Sequence, residues 1–419
     1  MPMNMRIAFS ETRHLLGEGL EILENLEKKG FSSFLVGGAV RDILLHRPLR
    51  DLDIVTSAPR QILERLYPRG KILGRPAYPV YLLPLSSGGA GEIVALNASS
   101  LEENLSRRDF TINSLAMDYR GEIRGSSKAF GDLHNRILRW NGSPEEKLRQ
   151  DPLRALRLCR FGVSLKGFRF APETLEACPP FGTACANLPG ERIGLELYRG
   201  LGEKNPVFSR FLHQAGLLQP LCRKHLPLRS TPEFHLFFEA CRRDLSFFCC
   251  TAAFFLDILE PGKDTSSRKN ETPCFTLLRH WCWPEKEALA ISRLLQMYED
   301  TKSQLLLRKE PHFPEPFDLS QRESLLALLS LDPEKHSFLE AWERKALLRD
   351  ARLLSASRKG LFLSGKECME LLECSPGPAL GSLLRNMERK ILETQDLSKE
   401  DLHHWLFEEA RRIFREKNS

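Results

Sequence analysis

The chain has 419 residues, 42% hydrophobic and 28% charged, with a formal net charge of +6 at pH 7. That length is more than one small core needs, and the balance of apolar and charged residues excludes wholesale disorder. The mild basicity suits an anionic partner such as a nucleic acid without requiring one.

The opening Met1-Pro-Met-Asn-Met-Arg6 has no apolar signal core, and no apolar run in the chain approaches the ~18 residues a membrane span needs. A cytoplasmic protein with no membrane segment is expected. Residues 10–29 place Leu15, Leu16, Leu20, Ile22, Leu23 and Leu26 at helical spacing, and Gly30 stops the helix. Phe34–Val36 reads as a buried strand, Ala39–Leu45 as a helix ending before Pro48, and Ile54–Thr56 as a second strand. Pro59 suits the first turn of a helix reaching Tyr67. Val80–Leu85 and Ile93–Leu96 form a hairpin around a Gly-rich connection. Residues 101–118 read as helical, and Phe130–Leu138 as a loop followed by a short apolar segment. Beyond about residue 144 the strand signal fades, and leucine-rich helical segments follow. The eleven cysteines include no C-x-x-C pair and have no framework spacing, so buried reduced thiols are expected rather than zinc ligands or disulfides.

The fold class is α+β: a head with a small mixed sheet, then an all-helical remainder. The division expected is an N-terminal helix over 1–30, a head over 31–140, a helical neck over 141–205, a body over 206–290 and a tail over 291–419.

The chemistry concentrates at Phe34-Leu-Val-Gly-Gly-Ala-Val-Arg-Asp42 and Asp51-Leu-Asp53. Strand alternation puts the carboxylates of Asp51 and Asp53 on one face. Two carboxylates so close repel and are best neutralised by divalent cations, and a pair of Mg²⁺ ions can activate a hydroxyl and steady a leaving pyrophosphate. Gly37 and Gly38 let backbone amides approach a triphosphate, and Arg41 is a bidentate phosphate donor. An Asp-x-Asp or a Gly-Gly alone is common on solvated turns; their order along this chain raises their weight.

That order resembles the first motif of the class II tRNA nucleotidyltransferase and bacterial poly(A) polymerase family, within the polymerase β-like nucleotidyltransferases. The resemblance implies that Asp51 and Asp53 are catalytic metal ligands and that Gly38 and Arg41 contact the nucleotide. Ser106-Arg-Arg-Asp-Phe-Thr-Ile-Asn-Ser114 resembles the second motif, which implies nucleotide contact by Arg108 and a ribose contact by Asp109 or Asn113. Gly131-Asp-Leu-His-Asn-Arg-Ile-Leu-Arg139 resembles a hinge segment, for which an Asp132–Arg136 pair is expected. Gln150-Asp-Pro-Leu-Arg-Ala-Leu-Arg-Leu-Cys-Arg-Phe161 resembles the fourth motif. By that resemblance Asp151 and Arg154 are an amino-acid template for the incoming base, and Arg157 and Arg160 face the triphosphate. Here Gln150 replaces the family's Glu, which leaves the orientation of Arg154 open. Gly190-Glu-Arg-Ile-Gly-Leu-Glu196 resembles the fifth motif, whose Glu and Arg brace the neck. The implied partners are tRNA (acceptor end and TΨC arm), bound through backbone contacts, and CTP, with ATP if the full CCA end is built. The implied cofactor is Mg²⁺, and no obligate protein partner is implied.

Gly74-Arg-Pro-Ala-Tyr-Pro-Val-Tyr-Leu82 is more like tRNA-adding members than poly(A) polymerases. After Leu96 only Asn97-Ala-Ser-Ser100 precedes Leu101-Glu-Glu. CCA-adding relatives have an Arg and a long flexible loop here, which reshapes the pocket from C to A. Loss of the loop resembles CC-adding enzymes. A template with nothing to move it stays set for one base. No His-Asp dipeptide occurs, which excludes an appended phosphohydrolase of the His-Asp kind.

Overall fold

The structure is a computed structural model. It describes residues 5–6, 17–49, 52–75, 78–86, 90–96, 100–222, 226, 228–229, 232, 234–259, 272–306, 319–331, 360–361, 363–372, 376–394 and 397–415. Two compact units divide the chain, Met1–Leu289 and Ala290–Ser419.

The first unit is built on an eight-stranded sheet of β1 (Met5–Arg6), β2 (Ser33–Val36), β3 (Leu52–Thr56), β4 (Lys71–Arg75), β5 (Tyr78–Pro84), β6 (Ala90–Ala95), β7 (Leu115–Met117) and β8 (Glu122–Gly125). The spatial order is β1-β8-β7-β2-β3-β6-β5-β4. Every pairing is antiparallel except β3 with β6. Central β2 is buried along its whole length, as its continuous apolar run requires. Packed around the sheet are α1 (Glu18–Lys28), α2 (Gly38–Leu44), α3 (Arg60–Leu66), α4 (Leu101–Ser106) and α5 (Ser127–His134). Leu101 and Leu105 of α4 join Phe34, Val36, Val55 and Ala116 in one apolar cluster.

The helical continuation holds α6 (Pro144–Gln150), α7 (Leu153–Ser164), α8 (Gly182–Ala186), α9 (Gly190–Gly202), α10 (Val207–Gln214), α11 (Leu218–Cys222), α12 (His235–Arg242), α13 (Phe247–Ile258) and α14 (Pro273–His280). A short parallel pair, β9 (Ile137–Leu138) with β10 (Arg169–Phe170), joins head to neck. Next, α15 (Glu285–Leu306) runs past the unit boundary. The second unit contains α16 (Leu319–Leu329), α17 (Gly365–Leu372), α18 (Pro378–Glu393) and α19 (Lys399–Arg415). Leu383 and Met387 of α18 interlock with Leu402 and Leu406 of α19. Among the described residues no helix is long and apolar enough to cross a membrane. Ten described cysteines carry free thiols, all buried except Cys241 and the exposed Cys282.

Three local expectations are corrected. Residues 101–118 are not one helix: α4 stops at Ser106, a single 3₁₀ turn spans Thr111–Asn113, and β7 follows. The Asp109 carboxylate breaks the helix by accepting from the Phe110 N–H at 2.8 Å and the Asn113 amide at 2.9 Å. The Phe110 ring is then trapped between Trp140 and Phe161, at centroid distances of 5.0 and 5.6 Å. The segment after Ser126 is helical rather than a loop, because the Ser126 hydroxyl caps α5 by accepting from the Ala129 N–H at 3.1 Å. Finally, Asp132 does not pair with Arg136. Its carboxylate accepts from the Thr111 hydroxyl at 2.7 Å and pairs with Arg139 at 3.1 Å. Helix α5 ends at His134, and Arg136 takes a left-handed φ of 54°.

Candidate active site

The site lies where β2 turns into α2 beside the parallel pair β3–β6. Asp53 on β3 stands directly across from Glu92 on β6 in that ladder. Cross-strand partners in register share a face, so both carboxylates project from the same side, while Ile54 and Ile93 are buried on the other. From the sequence alone the facing of Glu92 is ambiguous by one residue; the register resolves it. Asp51 lies outside the described residues.

Gly37 makes the turn with a φ of 75°. A Cβ there would sit 2.0 Å from Arg108 Nη1 and 3.4 Å from Asp53 Oδ2. Gly37 is therefore the point where backbone, carboxylate and guanidinium converge, which the Gly-Gly pattern alone does not distinguish from Gly38. At Gly38 a Cβ would only touch Arg41 Nη2, at 3.4 Å.

Arg41 is buried. Its Nε and Nη2 form a fork onto Asp42, at 3.0 and 2.8 Å, and its Nη1 donates to Asn113 Oδ1 at 2.6 Å. Its guanidinium also lies 5.0 Å from the Phe161 ring centroid. Asn113 passes the chain on, with its amide donating to Asp109 Oδ1. Asp109 Oδ2 pairs with Arg157 Nη2 at 2.8 Å. Burial alone would raise the Asp109 carboxyl, but Arg157, Asn113 and the Phe110 N–H outweigh it and hold it below its ordinary value. The same carboxylate raises Arg157 against its own burial. Burial lowers Arg108, with Asp53 and Asp109 opposing. Arg108 Nη1 is 3.9 Å from Asp53 Oδ2. The Nε of Arg108 and the Nε of Arg157 are both buried without a hydrogen-bond partner. Buried guanidinium donors left unfilled beside a carboxylate pair mark a place for an anionic ligand.

On the neck, Asp151 accepts from the Leu153 N–H at 3.2 Å and from Arg192 Nη2 at 2.8 Å. Arg154 donates through Nη1 to the Lys147 carbonyl at 3.1 Å and to Gln150 Oε1 at 3.2 Å, and through Nη2 to the Arg107 carbonyl at 3.0 Å. The neutral amide of Gln150 therefore still orients the arginine. Arg160 pairs with Glu196 and stacks on Phe161. Thus Arg192 and Glu196 of α9 each hold one fourth-motif side chain. The Asn-Gly-Ser-Pro turn at Asn141–Pro144 is the one local signal near Asn141, and nothing in the sequence marks Lys147. Burial pushes the Lys147 ammonium down to about 8, with Arg154 adding to the shift and Asp109 and Glu146 opposing it.

Residues 33–74 and 89–139 match the poly A polymerase head domain. The CCA-adding enzyme of Geobacillus stearothermophilus is 29% identical over 96% of this chain and 98% of its own length. The chain thus has the head of a poly A polymerase and resembles CCA-adding enzymes along nearly its whole length. Its reaction class is nucleotidyl transfer. It is also similar to the CC-adding tRNA nucleotidyltransferase of Halalkalibacterium halodurans, 35% identical over 48% of this chain and 53% of that one. The crystal structure of the Bacillus stearothermophilus CCA-adding enzyme with CTP superposes with a TM-score of 0.61 at 27% identity, over 97% of this chain and 99% of that one. A CCA-adding enzyme of Thermotoga maritima shares the fold at 20% identity, with a TM-score of 0.62.

Proposed function

We propose that the protein transfers CMP from CTP to the 3′ end of tRNA, building the two cytidines of the CCA terminus and releasing pyrophosphate. The observation that carries this reading is the pair of unfilled buried guanidinium donors, on Arg108 and Arg157, beside the Asp53–Glu92 carboxylate face.

Asp53, Glu92 and, from the sequence, Asp51 offer hard oxygen donors, the chemistry suited to a divalent ion such as Mg²⁺. Among the described residues no group of three potential ligands converges, which fits a site that needs Asp51 and substrate phosphate oxygens to complete it. A bound divalent ion supplies activation of the 3′-hydroxyl and neutralises charge on the leaving pyrophosphate. The turn at Gly37 lets the Arg108 guanidinium lie against the backbone beside Asp53, and Arg108 and Arg157 supply fixed positive charge where negative charge accumulates. Arg41, Asp109 and Asn113 hold that arrangement in place. They form a buried chain whose polar atoms are already engaged within the protein. Asp151 and Arg154 read the base. Each Asp151 oxygen keeps a second lone pair for the cytosine N4 amino group, and the guanidinium of Arg154 faces the O2 and N3 acceptors. With Arg192 fixing Asp151, and Gln150 with two carbonyls fixing Arg154, the template stays in one setting.

The short connection of 96–100 and the likeness to a CC-adding relative support addition of cytidine only. The reading of residues 97–99 rests on the sequence, because they lie outside the described residues. The second reading is full CCA addition, favoured by the name of the Geobacillus relative, which matches along nearly the whole chain. Purified protein, tRNA lacking its 3′ end and labelled CTP test the proposal. CMP is incorporated by the wild type and not by Asp53→Ala. An Asp53→Ala variant with unchanged activity contradicts the mechanism.

A further inference from the structure

A short helix leaves its last carbonyls without partners of its own. Helix α4 ends at Ser106, and three consecutive carbonyls at that end are met by three neck side chains. Asn141 Nδ2 donates to the Leu105 carbonyl at 2.8 Å and to the Ser106 carbonyl at 3.3 Å. Lys147 Nζ donates to the Ser106 carbonyl, and Arg154 Nη2 to the Arg107 carbonyl at 3.0 Å. Two of the three donors are cations placed on the negative end of a helix. The next residues in the chain are Arg108 and Asp109, and the Asp109 carbonyl accepts from the Asn141 N–H at 2.9 Å.

Lys147 touches this clamp twice. Its ammonium holds Ser106, and its own carbonyl receives Arg154 Nη1 at 3.1 Å. The far end of α4 is also anchored: Leu101 packs in one apolar cluster with Phe34 and Val36 of β2 and Val55 of β3. The helix is therefore a rigid spacer between the carboxylate face, Arg108 and Arg154.

We propose that Asn141 and Lys147 are positioning residues that fix Arg154 relative to Arg108, and through that spacing set the choice of base. The inference rests on the proposed nucleotidyl transfer to tRNA. Capping alone would stabilise α4 without affecting discrimination. Spacing control makes a different demand, because a base edge is read at one distance from its triphosphate.

The test compares CTP with UTP, which differ at the 4-position of the base, on tRNA lacking its 3′ end. Lys147→Met and Asn141→Ala are each expected to lower the CTP-over-UTP ratio of kcat/KM by roughly tenfold, mainly through KM for CTP. The kcat with CTP should change by less than about threefold. Lys147→Arg, which keeps a cationic donor, should restore most of the discrimination. If Lys147→Met does not fold, Asn141→Ala, which removes only an amide from a half-buried position, carries the comparison. Unchanged discrimination in a folded variant, or equal loss of rate with both nucleotides, overturns the proposal. A wild-type protein that adds no CMP at all overturns the nucleotidyl-transfer reading, and this inference with it.

Discussion

At Gly37 the room for one methyl group separates a usable site from a blocked one. Its positive φ already strains any L side chain, and a Cβ would displace the Arg108 guanidinium. Gly37→Ala is expected to cost about 100-fold in CMP incorporation while leaving the circular dichroism spectrum unchanged. Wild-type activity in that variant would mean that the Gly37–Arg108 approach is irrelevant to the reaction. The Asp109–Arg157 pair allows a test of stability at the same scale. Although burial opposes it, Arg157 holds the Asp109 carboxyl below its ordinary value. The stabilisation is therefore present above the unfolded pKa, near 4, and is lost as pH falls through the lower folded value. Asp109→Asn takes the paired charge from Arg157, whose side chain is 37% exposed, and is expected to destabilise the protein by about 1 kcal/mol at pH 7. In thermal melts the gap to the wild type should narrow below about pH 4. A gap independent of pH would mean that the carboxylate charge is not what stabilises. The motif residues themselves were legible in the sequence, because an Asp-x-Asp after a Gly-Gly turn carries its own chemical logic. Their partners were not: nothing local indicates that Arg192 reaches Asp151 or that Arg139 takes the place of Arg136.

The helical elements of the neck act as holders, and α9 does so most tightly. A Cβ at Gly190 would lie 1.8 Å from the His280 carbonyl oxygen, and one at Gly194 1.9 Å from that of Trp281. The Trp283 indole donates to the Gly194 carbonyl at 3.1 Å. Gly194→Ala is expected to cost about 1–3 kcal/mol by overpacking, read as a fall in Tm. It should also weaken CTP binding, because the same helix carries Arg192 and Glu196. Unchanged CTP affinity in a destabilised Gly194→Ala protein would separate α9 packing from the template. On α6, burial lowers the Lys147 ammonium to about 8. A lowered lysine costs stability while it is charged in the folded state, and that cost fades as pH rises from about 8 toward the unfolded value near 10.4. The wild type should therefore rise in Tm relative to Lys147→Met over that interval; a constant difference would remove the burial argument. Elements with strong period or caps were legible: α1 from Leu20–Leu26, α3 from Pro59, and the β5–β6 hairpin. The stretch 101–118 misled because its helical spacing is real only as far as Ser106. Beyond that, the Asp109 side chain competes for the backbone, and β7 is defined by pairing with β2 and β8, which local spacing does not encode.

For the whole molecule, the α+β head and helical continuation followed from the fading of strand signals after residue 144. The order of eight strands did not, since long-range pairing leaves no local trace. The parallel β3–β6 pairing is what brings Glu92 beside Asp53, the pair on which the proposed function draws. In the proposed reaction, the choice between two cytidines and a complete CCA end rests on the short sequence between Leu96 and Leu101 and on Asp151 and Arg154, each held by partners of its own. The most direct measurement incubates the purified protein with tRNA lacking its 3′ end, CTP and ATP, and sizes the product at single-nucleotide resolution. A cytidine-locked site predicts extension by two cytidines and no further growth with ATP, so that a separate A-adding activity is needed to finish the end. A terminal adenosine on the tRNA would contradict it.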